Sequence, residues 1–404
     1  MSKLQLIQGD CLDKLKELAD NSVDSIVTDP PYELGFMGKS WDNTGIANNS
    51  EMWAECLRVL KPGGHLLSFG GTRTYHRMAV AIEDAGFEIR DMINWCYGSG
   101  FPKSLNVGKA YDKEMGNERK WVCKNPNKAS EEAEIASAGK SQSGRTTHPD
   151  ITKGTSKWEG WGTALKPAHE PICMARKPLA EKTVAKNVLK WSTGGINIDE
   201  CRVATGDNTS RKVTTAGHFS SEQIEQRVNG GNTQGRFPAN LIHDNSEEVR
   251  ECFPETKSKG HNPAMGKANP FGGDNNNPQE ESYFTDSGNA SRFFKSIIYQ
   301  AKASKSERNK GCKDLEKGCF HPTVKPLALM RYLVTLVSRR GQTVLDPFAG
   351  SGTTLVACKE LGRNYIGIEL EEEYVPIIEA RLKATKELEQ FKQANLFEKT
   401  RKEL

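Results

Sequence analysis

Two short stretches of this sequence combine residue types and spacing that could do chemistry. The first is Asp29-Pro30-Pro31-Tyr32, directly after a run with strand character. Consecutive prolines fix φ and remove two backbone donors, leaving a stiff turn rich in acceptors. It offers the Asp29 carboxylate, the Pro30 carbonyl and the ring of Tyr32, which together suit a planar group bearing NH2. A proline-rich packing turn would have the same composition. The second stretch is Thr343-Val344-Leu345-Asp346 followed by Pro347-Phe348-Ala349-Gly350-Ser351-Gly352-Thr353-Thr354. An acid ends a strand, glycines let a ligand approach the main chain, and a helix start presents free N–H groups. Glu369 ends the next strand, where an acid can accept both hydroxyls of a ribose. The turn lacks Gly-Lys-Ser/Thr, which disfavours a triphosphate. A tight packing turn is the plain alternative, and a nucleoside cofactor is the chemical one.

The elements needed to hold these groups are legible around them. Strand-like runs at 4–7, 24–28, 65–69 and 89–97 alternate with helical spacing at 11–18, 51–60 and 75–85. Lys61-Pro62-Gly63-Gly64 punctuates the second helix. The rhythm fails over 101–165, which is polar and lysine-rich, and over 200–290, which is rich in Gly, Asn, Ser and Thr; one strand-like piece, 170–176, lies between. It returns near 291 with strands at 343–346 and 365–369 and helices at 355–361 and from 374 onward. Strands alternating with helices predict an α/β fold, doubly wound around a mostly parallel sheet.

Composition narrows the function classes. With 404 residues, 36% hydrophobic and 27% charged, the chain has the balance of a water-soluble globular protein. No apolar run approaches the roughly 18–20 residues of a membrane helix. The opening residues lack a basic stretch before an apolar core, so no secretory signal is expected. Ten cysteines occur singly, without CxxC, which argues against a zinc ribbon or a disulfide framework and for a reducing cytoplasm. Residues 101–190 carry a net +7 and 291–340 a net +9, while the remainder sums to −12. Segregated positive charge of this size fits a polyanion partner, and equally ordinary solvated lysines.

The motifs together resemble the DNA amino-methyltransferases that use S-adenosylmethionine, most closely phage and prophage members acting on adenine N6 or cytosine N4. The family's acceptor motif is matched by Asp29 to Tyr32 and its cofactor loop by Asp346 to Thr354. Its His-Pro-Thr-x-Lys-Pro element is matched by His321-Pro322-Thr323-Val324-Lys325-Pro326. Their order resembles the β permutation. The resemblance implies a seven-stranded sheet of the methyltransferase type, circularly permuted, with an inserted recognition region. The strand at 4–7 would then lie beside the one ending in Glu369, and 89–97 would pair antiparallel with 170–176. It implies a catalytic half at 1–100, a basic insertion at 101–165, a strand partner and target-recognition region at 166–290, a cofactor half at 291–385 and a charged tail at 386–404.

By the same resemblance the methionine part of S-adenosylmethionine would sit on Phe348, Gly350, Ser351, Gly352 and Thr353 after Asp346, with Thr323 and Lys325 helping. Glu369 would hold the ribose and Asp10 would face the adenine amine. A base would flip out of duplex DNA, its amine held by Asp29 and Pro30 on the rigid Pro31 turn and its ring stacked on Tyr32, for direct in-line attack on the methyl group. Asp at the first motif position is commoner for adenine-N6 and Ser for cytosine-N4, so adenine is expected and cytosine is the alternative. No Pro-Cys pair occurs, which disfavours carbon-5 chemistry. Methylation of protein glutamine or RNA, or a non-catalytic DNA-binding module, are the alternatives from other classes. No nuclease-like region and so no restriction partner is visible in the chain, and a homodimer is compatible with it.

Smaller features have two readings each. Trp95, Tyr97 and Phe101 could line a base slot, and Trp95 reads better as core. Lys103, Lys109 and Lys113 with Trp121, Trp158 and Trp161 fit DNA contact or a solvated surface. Lys302, Lys305, Arg308, Lys310 and Lys313 read as phosphate contacts. Cys312 and Cys319 lack partners at ligand spacing, so no metal is expected.

Overall fold

The computed structural model describes residues 4–35, 40–98, 100, 104–124, 150–204, 211–212, 228–229, 235–257, 287–297 and 305–388. It divides into two compact units, one of residues 1–99 with 169–404 and one of residues 100–168.

The larger unit is built on one sheet. In chain order its strands are β1 (Leu4–Gln8), β2 (Val23–Thr28), β3 (Leu60–Phe69), β4 (Glu88–Cys96), β5 (His169–Arg176), β6 (Leu241–His243), β7 (Lys295–Ser296), β8 (Thr343–Asp346) and β9 (Asn364–Glu369). Their spatial order is β1-β9-β8-β2-β3-β5-β4-β6-β7. All neighbours run parallel except β5, which is antiparallel to both β3 and β4. The expected pairing of the N-terminal strand with the strand ending in Glu369 is present, with Gln8 opposite Glu369. The expected antiparallel pair is also present, but it does not end the sheet. Two short strands, β6 and β7, extend the expected seven to nine, because residues 241–243 and 295–296 satisfy the open edge of β4.

Helices cover both faces. On one lie α1 (Cys11–Lys16), α2 (Ser50–Val59) and α3 (Tyr75–Asp84); the other carries α5 (Leu327–Val337), α6 (Thr353–Glu360) and α7 (Val375–Lys383), and α4 (Val184–Trp191) follows β5. Period-two alternation sends neighbouring strand residues to opposite cores. Ile26, Leu66, Leu345 and Ile366 join Leu15, Met52, Trp53 and Ile82, whereas Val27, Leu67, Val344 and Tyr365 join Leu329, Leu333, Leu355 and Ile378. Each such aliphatic side chain contributes about 1.5–3 kcal/mol when buried. Helix α2 starts because the Asn49 side chain accepts the Glu51 N–H at 2.9 Å, and it buries Met52, Trp53, Cys56 and Val59 along one stripe. Helix α6 is buried nearly all round, between the sheet and its two flanking helices.

The strand after α2 begins earlier than the Pro-Gly-Gly punctuation predicts. Leu60 already pairs with Val23, and the ladder then jumps to His65 opposite Ser25, leaving 61–64 as a bulge. Lys177 N–H···O=C and Gly63 N–H···O=C bonds of 2.9 and 3.0 Å, to Gly64 and Lys177, fasten that bulge.

The smaller unit holds a helix, Val107–Met115, and a strand pair, Lys120–Cys123 with Ile151–Lys153. The Arg119 guanidinium binds the buried Asp112 carboxylate and, at 2.8 Å, Glu159. Trp121 and Trp161 stay largely exposed, 62% and 59%, so they are not the core of this unit. Phe101, Lys103 and Lys302 lie outside the described residues, as does the tail beyond 388.

Candidate active site

Parallel strands gather their C-terminal ends at one edge of a sheet, and an α/β fold places its ligands there. β2 ends at Thr28 and delivers Asp29; the adjacent β8 ends at Asp346 and delivers the glycine turn. Leu345 pairs with Ile26, and Thr28 Oγ1 donates to Asp346 Oδ1 at 2.7 Å. The two bends therefore emerge side by side from neighbouring strands.

The first bend is clamped from behind. The Asp42 carboxylate accepts the N–H groups of Tyr32, Glu33 and Leu34 at 2.8, 3.1 and 3.3 Å, and Thr74 Oγ1 donates to the Tyr32 carbonyl at 2.7 Å. In front, the Lys325 ammonium lies 3.1 Å from Asp29 Oδ1, 2.7 Å from Glu170 Oε2 and 2.9 Å from the Tyr32 hydroxyl. Tyr32 donates to Glu170 Oε2 at 2.9 Å. Burial pushes the Asp29 carboxyl above the usual carboxylate range; Lys325 pulls it down and Glu170 pushes it up. Burial alone would lower Lys325, but Asp29 and Glu170 hold its ammonium above the ordinary lysine value.

The second bend uses both of its glycines. Gly350 and Gly352 have φ of +53° and +72°, a region that side chains other than glycine's rarely adopt. The Gly350 N–H donates to Glu369 Oε2 at 2.6 Å, and Glu371 N–H donates to Oε1 at 2.9 Å. Ser351 and Thr353 turn inward. Their hydroxyls lie 3.1 Å apart, and Arg381 binds the Ser351 carbonyl and Thr353 Oγ1. Asp346 is buried, accepting from Phe348 N–H at 3.1 Å, and its carboxyl is pushed up to about 6 by burial, against the Thr28 and Thr354 hydroxyls. His321 packs edge-on against Tyr374 beside Gly350.

Asp10 stands at the end of β1, next to Glu369, whose carbonyl accepts the Gly9 N–H at 2.8 Å. Its side chain is exposed and caps α1 through Leu12 N–H at 2.8 Å. Thr323 is exposed and bonds through its backbone to His321 Nδ1 at 3.3 Å. Lys325, expected to help hold the cofactor, makes its described contacts with the acceptor bend and Glu170. Glu170, which sequence reading treated only as part of a strand, is central to that cluster. Its one signal was position: an acid at the start of an antiparallel strand lands at the same edge as the ends of the parallel ones. Trp95 is core, as expected, at 3% exposure. Half-buried Arg308 donates to the His321 carbonyl at 2.8 Å, and half-exposed Lys310 approaches Glu360 at 3.7 Å. Among the described residues no group of three metal-ligating side chains converges, and no helix is long and apolar enough to cross a membrane.

The Glu369 carboxyl is pushed up to about 7, mainly by burial, with the Gly350 and Glu371 N–H bonds pulling it back. A raised folded-state value means that the fold favours the protonated acid. Its stabilising contribution is complete below the ordinary glutamate value and is lost as pH rises to about 7. Glu369→Gln should therefore melt with a flatter pH dependence than wild type between about pH 4.5 and 7, the difference reaching on the order of 2–3 kcal/mol. Parallel melting curves at pH 5 and 8 check this; equal slopes refute it.

The residues at the glycine bend fit a nucleoside cofactor. Two glycines at positive φ shape the bend, and each Glu369 oxygen keeps a lone pair beyond its backbone bond, as an acceptor of ribose hydroxyls requires. The N6/N4 DNA methylase family model matches residues 23–380. The Type II methyltransferase M.HindIII of Haemophilus influenzae is 24% identical, with 90% of each chain covered. M2.DpnII of Streptococcus pneumoniae, also a Type II methyltransferase, is 48% identical over 67 residues, 17% of this chain and 25% of that one. Among solved structures, the M1.HpyAVI–SAM complex is 18% identical over 94% of this chain and 98% of that one, with a TM-score of 0.41. The family match spans both bends and nearly the whole sheet, and the chain belongs to the N6/N4 DNA methylases, methyltransferases that use S-adenosylmethionine.

Proposed function

We propose that this protein methylates the N6 amine of adenine in duplex DNA, at the junction of the Asp29 and Gly350 bends. The observation that carries the reading is the 2.7 Å bond between Thr28 and Asp346, which ties together the two strands that deliver those bends. Asp29 and the Pro30 carbonyl accept the N–H groups of a flipped base. Those bonds draw the nitrogen lone pair out of conjugation with the ring, so the amine becomes a nucleophile. Tyr32 stacks on the base, a contact worth roughly 1–3 kcal/mol. Asp29, with its carboxyl raised by burial, accepts the proton that the nitrogen gives up.

S-adenosylmethionine supplies an electrophilic methyl group on a sulfonium. Phe348, the Gly350–Thr353 turn and Thr323 hold its methionine end, Glu369 its ribose, and Asp10 its adenine. Positioning and electrostatics carry the rate, and no covalent enzyme intermediate is needed. The acidic first residue of the acceptor motif supports adenine over cytosine. Residues 100–168, with exposed Trp121, Trp161, Lys113, Lys120, Lys124 and Lys153, contribute to gripping DNA, and residues 166–290 supply target recognition.

The test is transfer of labelled methyl to mixed-sequence duplex DNA, followed by digestion and mass analysis of the nucleosides. N6-methyladenine is the expected product. N4-methylcytosine would overturn the base assignment, and label in RNA or protein alone would overturn the substrate.

A further inference from the structure

Beside the acceptor bend stands a positive charge in contact with two carboxylates. Lys325 projects between the rings of Tyr32 and Phe69, its ammonium 5.1 and 4.6 Å from their centroids. It meets Asp29 Oδ1 at 3.1 Å, which is where an amine donor of a bound base would sit. That oxygen is buried, and the ammonium is its charged neighbour. The Lys325 side chain is only 12% exposed, and its other carboxylate, Glu170 at 2.7 Å, is the nearer of the two.

Glu170 reaches this place because of strand direction. β5 runs against its neighbours, so its N-terminal end lies beside the C-terminal ends of β3 and β4, with Glu170 opposite Trp95 and Ile172 opposite Phe69. From there Glu170 Oε2 accepts the Tyr32 hydroxyl at 2.9 Å and Oε1 faces the Tyr97 hydroxyl at 3.5 Å. It thus fixes both the stacking ring and the ammonium.

We propose that Glu170 is a positioning residue for methyl transfer: it retains the Lys325 ammonium as a movable counter-ion, which covers the acceptor oxygen of Asp29 in the free enzyme and withdraws to Glu170 when a base amine takes its place. The inference rests on the reading that Asp29 accepts the amine. A lysine paired with Asp29 alone would compete with the base, because displacing it would strand a poorly solvated charge. With Glu170 already in contact, the ammonium exchanges one carboxylate for another it touches. The charged and titratable groups facing Asp29 are Lys325, Glu170 and Tyr32, with Asp346 on the adjoining strand; those facing Glu170 are Lys325, Tyr32 and Tyr97.

The variant that tests this is Glu170→Gln, which keeps the size and removes the charge. Lys325 then belongs to Asp29, and a negative neighbour that raises Asp29 is gone. Turnover on mixed-sequence duplex DNA should fall roughly 10–100-fold, and cofactor affinity by calorimetry should stay within about twofold. The acid limb of the rate profile should move to lower pH, and so should the Asp29 carboxyl itself, followed by 13C NMR with Asp29→Asn for assignment. Glu170→Asp should recover part of the rate. Wild-type turnover and an unmoved limb in Glu170→Gln would overturn the proposal, as would a loss confined to cofactor affinity. If Glu170→Gln does not fold, Lys325→Met reads the same coupling with opposite sign: the Asp29 titration should move to higher pH, and an unmoved titration overturns the proposal. Failure of wild type to methylate DNA, or full activity in Asp29→Ala, would instead sink the wider reading.

Discussion

Asp29→Ala should reduce methyl transfer to DNA by about a thousandfold and leave cofactor affinity within about threefold of wild type. The expected size follows from what the carboxylate does. In the proposed reading it is the charged acceptor for the amine and the group that takes up the proton, and its oxygen Oδ1 is buried directly after β2. Alanine leaves a neutral gap where a nucleophilic nitrogen must be oriented. The fold should tolerate the change, because Lys325 retains Glu170 at 2.7 Å and the bend is fixed from behind by the three N–H bonds to Asp42. The glycine bend, to which the proposed reading assigns the cofactor, is held by Gly350, Glu369 and Arg381. Initial rates of label incorporation, with calorimetry for the cofactor, check both halves. Activity equal to wild type would remove Asp29 from the chemistry; a parallel loss of cofactor affinity would make it structural. Asp29→Asn is the sharper companion, since it keeps one acceptor oxygen but neutralises the charge that Lys325 faces. It should fall between wild type and alanine.

The two bends could be read because both follow short apolar runs and end in an acid, so the chain announces a strand, a stop and a turn in succession. The pairing of β1 with β9 could be read only through motif order; no local property of Leu4–Gln8 says that its neighbour lies some 360 residues away. Helix α5 escaped because Leu327–Val337 is apolar nearly all round, with eight of its residues buried, and so shows no polar face to mark a period. Strands β6 and β7 escaped because three and two residues are too short for alternation to register. The bulge at 61–64 is a case where local signals were right but incomplete: proline and glycine do interrupt the ladder, yet the ladder resumes within the same strand. At the site, the hidden residues were those whose role depends on a partner far along the chain. Glu170 and Lys325 are 155 residues apart, and neither has a sequence neighbour that hints at the other. Arg308 shows the same limit: within a basic cluster read for its charge, its guanidinium donates to the His321 carbonyl, a contact that composition does not reveal.

Gly350→Val should weaken S-adenosylmethionine binding by at least about a hundredfold, equivalent to about 2.7 kcal/mol. Two effects add. With φ at +53°, a β-branched residue is strained there by roughly 1–3 kcal/mol, which the turn can relieve only by rotating its N–H away from Glu369. A Cβ at this position also lies 3.1 Å from His321 Nε2, and that ring is held by Tyr374 at 4.5 Å, so it has little room to yield. Either response displaces the Glu369 carboxylate, which the proposed reading assigns to the ribose of the cofactor. Backbone strain alone can be separated by Gly341→Ala, where φ is +75° but the added carbon meets nothing within 4 Å. That control should lose about 1 kcal/mol of stability and no cofactor affinity. Gly352 is a poorer probe, because a Cβ there comes within 2.6 Å of Ile378 Cγ2 and would unseat α7 from α6. Calorimetric titration of Gly350→Val, folded by its melting curve, decides the matter: unchanged affinity would mean that the cofactor does not lie on this bend, and the pairing of the two bends would lose its chemical purpose.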